Sequence, residues 1–195
     1  MVADASVFFA LWLQRPLRIA AANPSSDRLA DAIAAQVDLK RAGPVLELGA
    51  GTGSLTRGLI RAGCSPERII AVEREPGLAK LPRRKLPAIR LIEDDAARIA
   101  HHSALRTQSL SAVVSSLPIK WFSPAEQEAV VRPCLDRLGI AGCFARLTNG
   151  FRSPITMDQL GIVGREVARV WFNLPPAQIW CYWDTRRAPG SGAAI

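Results

Sequence analysis

The chain has 195 residues, 49% of them hydrophobic and 22% charged, which suits a single folded domain with one core and excludes a disordered chain. Its 25 Lys and Arg against 17 Asp and Glu leave a formal charge of +8, a balance that favours an anionic partner, either nucleic acid or an acidic membrane surface. The longest apolar run, residues 7–13, falls far short of the ~20 residues a spanning helix needs.

Residues 1–22 carry Phe8, Phe9, Leu11, Trp12 and Leu13 beside Arg15 and Arg18. Pro16 ends or kinks any helix near Gln14. Asp4, with Arg15, Pro16 and Arg18 interrupting the apolar stretch, argues against a secretion signal, so a cytoplasmic chain is expected. Two readings stand for this segment. One is a helix packed on the core, since its apolar residues run nearly all round. The other is an interfacial helix with Phe8, Phe9 and Trp12 at headgroup depth and Arg15 and Arg18 on anionic phosphates.

Asn23-Pro24-Ser25-Ser26 reads as a turn that caps a helix over 27–37 through a Ser hydroxyl, with Leu29, Ile33 and Val37 on one face. Gly43-Pro44 breaks the chain before a first strand, 45–48. From there the rhythm is helix 54–62, strand 69–72, a weaker helix 78–86 interrupted by Pro82, strand 89–92 and strand 112–115. Ser123-Pro124-Ala125-Glu126 starts a helix with a Ser N-cap, Pro in the first turn and Glu in capping-box position. That helix should run to 137, disturbed by Pro133. A strand over 143–147 follows, and the aromatic and β-branched segments 166–172 and 178–183 form a closing hairpin. Residues 186–195 are rich in small residues and are expected to be a disordered tail after a domain over 23–185. The alternation predicts an α/β fold: a mostly parallel seven-stranded sheet, helices on both faces, the last strands an antiparallel hairpin.

The most informative stretch is Val45-Leu46-Glu47-Leu48-Gly49-Ala50-Gly51-Thr52-Gly53, a strand that enters a turn with alternate glycines and then a helix. Gly49, Gly51 and Gly53 allow tight turning and let a ligand approach bare backbone at the helix N-terminus. A nicotinamide dinucleotide site would want G-x-G-x-x-G, and here the last position is Ser54. Glu47 would also repel a pyrophosphate, whereas a carboxylate suits the cationic methionine end of S-adenosylmethionine. Glu73 ends the second strand, placed to accept from both ribose hydroxyls. Asp95, in Asp94-Asp95-Ala96 after the third strand, is expected to accept from the adenine amine, with Asp94 an equal candidate for capping a turn. Ser115-Ser116-Leu117-Pro118 closes the fourth strand beside the expected methyl group. Backbone carbonyls in that proline turn are expected to aim an acceptor amine, which is positioning catalysis. His101 and His102 sit in a polar stretch and read as surface residues. The four cysteines, Cys64, Cys134, Cys143 and Cys181, show neither C-x-x-C spacing nor a nearby His pattern, so they read as free thiols and no metal is expected.

In combination these residues resemble the bacterial phospholipid N-methyltransferases, class I S-adenosylmethionine-dependent enzymes that methylate phosphatidylethanolamine towards phosphatidylcholine. That family shows an aromatic N-terminal helix, a Pro-Ser-Ser turn, E-L-G-x-G-T-G, an acid ending strand two, G-D-A after strand three and V-S-x-x-P after strand four. A Tyr-Gly-Pro-x-Ser-Pro follows strand five and an Asn-x-Pro-Pro-Ala comes near the end. This chain carries Pro24-Ser25-Ser26, residues 47–53, Glu73, Asp95-Ala96, Val114-Ser115 with Pro118, Gly150 with Ser153-Pro154, and Asn173-Leu174-Pro175-Pro176-Ala177. The likeness spans residues 8–182. It implies a Rossmann-like domain whose cofactor is S-adenosylmethionine (product S-adenosylhomocysteine), bound by Glu47, Gly49, Gly51, Gly53, Glu73, Asp95 and Ser115. It further implies Ser115, Pro118 and Asn149 at the methyl-transfer position, Arg152, Ser153, Asn173 and Pro176 on the lipid, and a monomer peripherally bound to the inner face of the cell membrane, with no nucleic-acid partner.

The chain departs from that pattern in three places. Asn149-Gly150-Phe151 replaces Tyr-Gly-Pro, an Asn after the strand-four proline is missing from Ile119-Lys120-Trp121-Phe122, and Asp94 stands where the family has Gly. An amine or quaternary acceptor favours aromatic faces, and Phe151, Trp121 or Phe172 are placed to substitute. Two alternatives remain open. Adenine N-methyltransferases acting on ribosomal RNA suit the basic charge, but they place an aromatic residue directly after the strand-four proline to stack the flipped base, where this chain has Ile119. No separate RNA-binding domain is expected after Tyr182. A non-catalytic membrane-binding module of the same fold is the third reading.

Overall fold

The structure, a computed structural model, describes residues 24–105, 108–139, 142–149, 153–171 and 176–187. The expected membrane segment, with Phe8, Phe9, Trp12, Arg15 and Arg18, lies outside them. Among the described residues no helix is long and apolar enough to cross a membrane.

Short, mostly apolar strands flanked by helices demand cover on both faces, and the sheet is built that way. β1 (Val45–Leu48), β2 (Ile69–Val72) and β4 (Ala112–Ser115) are buried at every residue. With β3 (Arg90–Ile92), β5 (Phe144–Asn149), β6 (Ile162–Val170) and β7 (Ala177–Asp184), they form one seven-stranded sheet in the order β3-β2-β1-β4-β5-β7-β6. The first five are parallel in the sheet; β7 runs antiparallel between β5 and β6. Successive side chains in each strand point to opposite faces, so two cores result. Leu46, Leu48, Ile70, Val113 and Phe144 pack against the helix α4 (Pro124–Arg137) and a 3-10 turn, Ala96–His101. Val45, Ile69, Ala71, Val114 and Ala145 pack against α1 (Pro24–Ala34) and α2 (Ser54–Arg61). The expected class, a mostly parallel seven-stranded sheet closed by an antiparallel hairpin with helices on both faces, is the fold observed.

Several boundaries differ from the sequence expectation. α1 begins at Pro24, so Ser25 and Ser26 lie in its first turn instead of capping a helix from Asp27. A proline at the first helical position needs no N–H partner and its fixed φ is already helical, so it wins over the serines. α3 (Pro76–Lys85) and α4 both run through an internal proline, Pro82 and Pro133. Burial of Val130, Val131, Cys134 and Leu135 offsets the lost hydrogen bond in α4, whose Ser123–Glu126 capping box forms as expected. β6 starts four residues before the position expected for it, after a single helical turn, α5 (Met157–Leu160). Arg186 and Arg187, expected in the tail, lie with Thr185 in a 3-10 turn, and Arg186 pairs with Asp184 at 2.9 Å. All four cysteines are free and buried.

α1 and α2 cross closely because Gly58 faces Ala30: a Cβ there would lie 2.7 Å from the Ala30 Cβ and 2.8 Å from its backbone. In Gly58→Ala the gain in helix propensity, about 1 kcal/mol, meets an overpacking cost of about 1–3 kcal/mol against backbone that cannot rotate away. The variant is therefore expected to melt below the parent chain, which a calorimetric melt measures.

Candidate active site at the carboxyl edge of the sheet

β1 lies between β2 and β4, whose connections leave in opposite directions, and the crevice above such a switch point is where open α/β sheets bind ligands. The glycine turn fills it. The Gly49 and Ala50 amides both donate to the Val72 carbonyl, at 2.9 and 3.0 Å. Gly49, Gly51 and Gly53 take φ of 81°, 53° and 79°, which side chains rarely adopt. A Cβ on Gly49 would approach Leu117 to 3.0 Å, whereas one on Gly51 would meet nothing within 4 Å, so bare backbone faces open space there.

Glu73 holds the turn from the second strand. It is 4% exposed, and its Oε2 accepts from the Gly51 amide at 2.7 Å while Oε1 accepts from the Glu75 amide at 2.9 Å. Each oxygen retains a lone pair for a ribose hydroxyl. Glu47 lies beneath the turn, fully buried, with Oε2 accepting from the Thr56 hydroxyl at 2.7 Å. Its Oε1 has no partner among the described residues, and burial pushes its pKa up to about 7, against the lowering effect of Thr56. An unpartnered buried carboxylate oxygen below bare glycine backbone fits a nucleoside ligand with a cationic tail. Asp95, not Asp94, caps the 3-10 turn after β3: its Oδ1 accepts from the Ala97 amide at 2.9 Å, and Arg74 lies 3.6 Å from Oδ2. Asp94 accepts from the Asp95 amide at 2.8 Å.

The segment after β4 is latched to the same turn. Ser116, given no separate role in the sequence reading of Ser115–Pro118, donates to the Gly49 carbonyl at 2.7 Å. Ser115 is fully buried and accepts from the Leu117 amide at 3.3 Å. The Leu117 and Pro118 carbonyls, expected to aim an acceptor amine, are bonded within the turn to the Ile119 and Trp121 amides, at 2.9 and 3.0 Å, because the chain winds at once into the 3-10 turn Ile119–Trp121. Gln127 on α4 was also missed. Its amide nitrogen donates to the Ile119 and Phe122 carbonyls at 3.3 and 3.2 Å, and its oxygen accepts from the Thr156 amide at 3.0 Å, tying together the loops after β4 and β5.

Asn149 ends β5 in register with Ala177, the first residue of β7, so the Asn149 backbone and half-buried Pro176 come together at the edge that bears Ser115 and the glycine turn. The Ser153 hydroxyl pairs with the Tyr182 hydroxyl at 3.0 Å and bonds both the amide and the carbonyl of Ile155. Arg152 and Asn173, with Phe151 and Phe172, lie outside the described residues. Among the described residues no group of three His, Cys, Asp or Glu side chains could hold a metal ion.

Glu47 gives a stability prediction. Its folded pKa lies above the unfolded value, so the native state binds more protons between about pH 4.5 and pH 7, and stability falls as pH rises through that window and is level above it. The shift corresponds to roughly 3 kcal/mol. Glu47→Gln keeps the Thr56 contact and removes the titration, so its melting temperature should change less between pH 5 and pH 8 than that of the parent.

Comparison with known proteins agrees with this geometry. Residues 45–142 match the family model described as a methyltransferase domain. The chain is 29% identical over 150 residues to the ornithine lipid N-methyltransferase of Singulisphaera acidiphila, covering 74% of this chain and 78% of that protein. It is 41% identical over 102 residues to ribosomal RNA small subunit methyltransferase A of Anaeromyxobacter dehalogenans, covering 46% of this chain but only 34% of that relative, so it spans about a third of that enzyme's length. Among solved structures, the TehB-like SAM-dependent methyltransferase of Corynebacterium glutamicum superposes with a TM-score of 0.59 over 93% of this chain and 98% of that one at 16% identity, a likeness of fold. The chain belongs to the methyltransferase-domain family, on the Rossmann-like fold of the S-adenosylmethionine-dependent methyltransferases.

Proposed function

We propose that the protein transfers methyl groups from S-adenosylmethionine to the amine of a lipid headgroup, phosphatidylethanolamine or its partly methylated forms or an ornithine lipid, at the inner face of the cell membrane. The observation that carries this reading is the pairing of Asn149 with Ala177. It sets the end of β5, which leads towards Ser153-Pro154, against Ala177 at the start of β7, at the same sheet edge as the glycine turn, and Ser153-Pro154 and Ala177 belong to the lipid-methyltransferase resemblance. The similarity to an ornithine lipid N-methyltransferase over most of both chains supports the same reading.

In this reading Glu73 accepts from the ribose hydroxyls, Asp95 receives the adenine amine through its remaining acceptor capacity, and Glu47 faces the cationic methionine end. S-adenosylmethionine supplies an electrophilic methyl group. The protein's part is to hold the acceptor amine in line at the Ser115–Pro118 turn and to exclude water. Two exposed tryptophans suit a membrane interface. Trp121, 50% exposed, has the Lys120 ammonium 4.9 Å from its ring centre, and Trp171, 66% exposed, has the Arg169 guanidinium at 5.1 Å. Both stand at the carboxyl edge. The N-terminal aromatic segment with Arg15 and Arg18 would add a second anchor.

Ribosomal RNA is the competing acceptor, favoured by the charge of +8 and by the similarity to an RNA methyltransferase. Ile119, at the position where those enzymes stack the base, is fully buried in the core under α4, and this weighs against it.

Labelled methyl transfer decides the acceptor: the full chain is expected to methylate phosphatidylethanolamine or ornithine lipid in anionic micelles and to leave small-subunit ribosomal RNA unlabelled. Label in RNA alone refutes the lipid reading, and label in neither leaves the non-catalytic module. In calorimetry, Glu73→Ala is expected to weaken S-adenosylmethionine binding by about 1.5–3 kcal/mol, and unchanged affinity would remove Glu73 from the site. Sedimentation with anionic liposomes should fall with salt and be lost on deleting the first 18 residues, with cofactor binding retained. A truncated chain that sediments as well as the parent excludes that segment as the anchor, and one that unfolds makes it part of the core.

A further inference from the structure

Arg146 sits in the middle of β5 and is only 2% exposed, yet its Nε and Nη1 have no hydrogen-bond partner among the described residues. Register places it beside Ser115 on β4 and Trp180 on β7, three residues before β5 ends at the carboxyl edge. By alternation it shares a sheet face with Ser115 on one side and with Gln178 and Trp180 on the other. Buried polar residues recur on that face in three adjacent strands: Ser115 on β4, Arg146 and Thr148 on β5, and Gln178 on β7. A structural core has no need of such a floor, and this one lies beneath the edge where the glycine turn, Asn149 and Pro176 converge.

Among the described residues no carboxylate pairs with this guanidinium. Glu166, the acid opposite Trp180 on β6, uses both oxygens on others: Arg169 donates to each at 2.7 Å, and Gln178 donates to one at 2.8 Å. The nearby Tyr182 hydroxyl is held neutral, its pKa pushed up to about 12 by burial, and is paired with Ser153. Burial lowers the pKa of Arg146 itself to about 10, which still leaves it charged at neutral pH. An uncompensated buried cation is among the costliest arrangements in a fold, so a site that keeps one implies an anion that arrives from outside.

We propose that Arg146 is the oxyanion subsite of the acceptor pocket, its guanidinium holding the phosphodiester or carboxylate of a zwitterionic amine lipid. The planar fork of Arg matches either group with two parallel hydrogen bonds. The amine of such a headgroup stands a few bonds from its oxyanion, so anchoring the anion at Arg146 delivers the amine to the Ser115 edge. The inference rests on the lipid reading above and extends it: the acceptor is an amine carrying its own negative charge, and Arg146, more than Arg152, recognises it.

The test compares the full chain with Arg146→Met, which keeps the apolar stem and removes the unpaired charge, and with Arg146→Lys. Without ligand, the Met variant is expected to melt about 3 °C or more above the parent; melting below it would make the guanidinium a structural partner and overturn the proposal. In the first arm, inorganic phosphate or acetate should raise the melting temperature of the parent and not of the Met variant. No anion-dependent rise in the parent, or an equal rise in both, overturns the site. In the second arm, KM for phosphatidylethanolamine or ornithine lipid in mixed micelles should rise about 10- to 100-fold in the Met variant, with partial rescue by Lys. S-adenosylmethionine affinity should stay unchanged. Whichever lipid shows the KM effect identifies the oxyanion as phosphodiester or carboxylate. A loss confined to kcat, or a weakened cofactor affinity, overturns the assignment to the acceptor. If the parent methylates neither lipid, the lipid reading fails, while the first arm still decides whether Arg146 binds an oxyanion.

Discussion

The turn after β1 is clamped from both flanking strands, and the geometry of the site depends on that clamp. From β2 come the Val72 carbonyl and the Glu73 carboxylate, which take the amides of Gly49, Ala50 and Gly51. From the β4 side comes the Ser116 hydroxyl, donated to the Gly49 carbonyl. Parallel pairing of β1 with both neighbours therefore fixes the turn as well as the sheet. A shift of the turn towards either flank breaks bonds on the other. The same arrangement lets three glycines carry positive φ without fraying, and so leaves backbone bare where a ligand must approach closely.

Around this clamp lie two buried ionisable groups that keep atoms unpartnered among the described residues, one on each face of the sheet. Glu47 belongs to the face covered by α1 and α2, where it meets Thr56. Arg146 belongs to the face covered by α4. Burial moves both pKa values towards neutrality, up for the acid and down for the base. An edge with an unmatched carboxylate on one side and an unmatched guanidinium on the other is complementary to two zwitterions laid end to end. In the function proposed above, the two are a sulfonium donor with an ammonium tail and an acceptor that carries its own oxyanion.

Much of this was legible in the sequence where one physical requirement dominates. β1, β2 and β4 match their expected limits to the residue because strands covered on both faces are mostly apolar, and glycine or a polar residue ends each one. The capping box at Ser123 was equally plain. Where two requirements compete, the reading slipped. Pro24 and the serines after it both signal a helix start, and Pro133 signals a stop that tertiary burial overrides. The place of β7 inside the hairpin cannot be read from periodicity, since either strand of an antiparallel pair could adjoin β5. Arg146 was missed because Phe144-Ala145-Arg146-Leu147 looks like a strand with one face in water. The insertion of β7 makes β5 an interior strand, and the cores on the two sides of the sheet cover both its faces. The signal available was weak: an arginine flanked by apolar residues in the last parallel strand of a sheet whose other parallel strands are nearly uncharged.

The same insertion decides how the molecule ends laterally. With β7 inside, β6 becomes one open margin of the sheet and β3 the other. An open margin is a template on which a second chain can add strands. β3 offers only three residues and starts with Arg90. β6 is three times as long, but its ladder is broken between Glu166 and Ala168, and its exposed or half-exposed positions include Arg165, Glu166 and Arg169. A bulge that twists the margin away, with charged groups set along it, discourages sheet-to-sheet growth. The ion pair between Glu166 and Arg169 thus acts as a guard against aggregation at the one margin long enough to invite it.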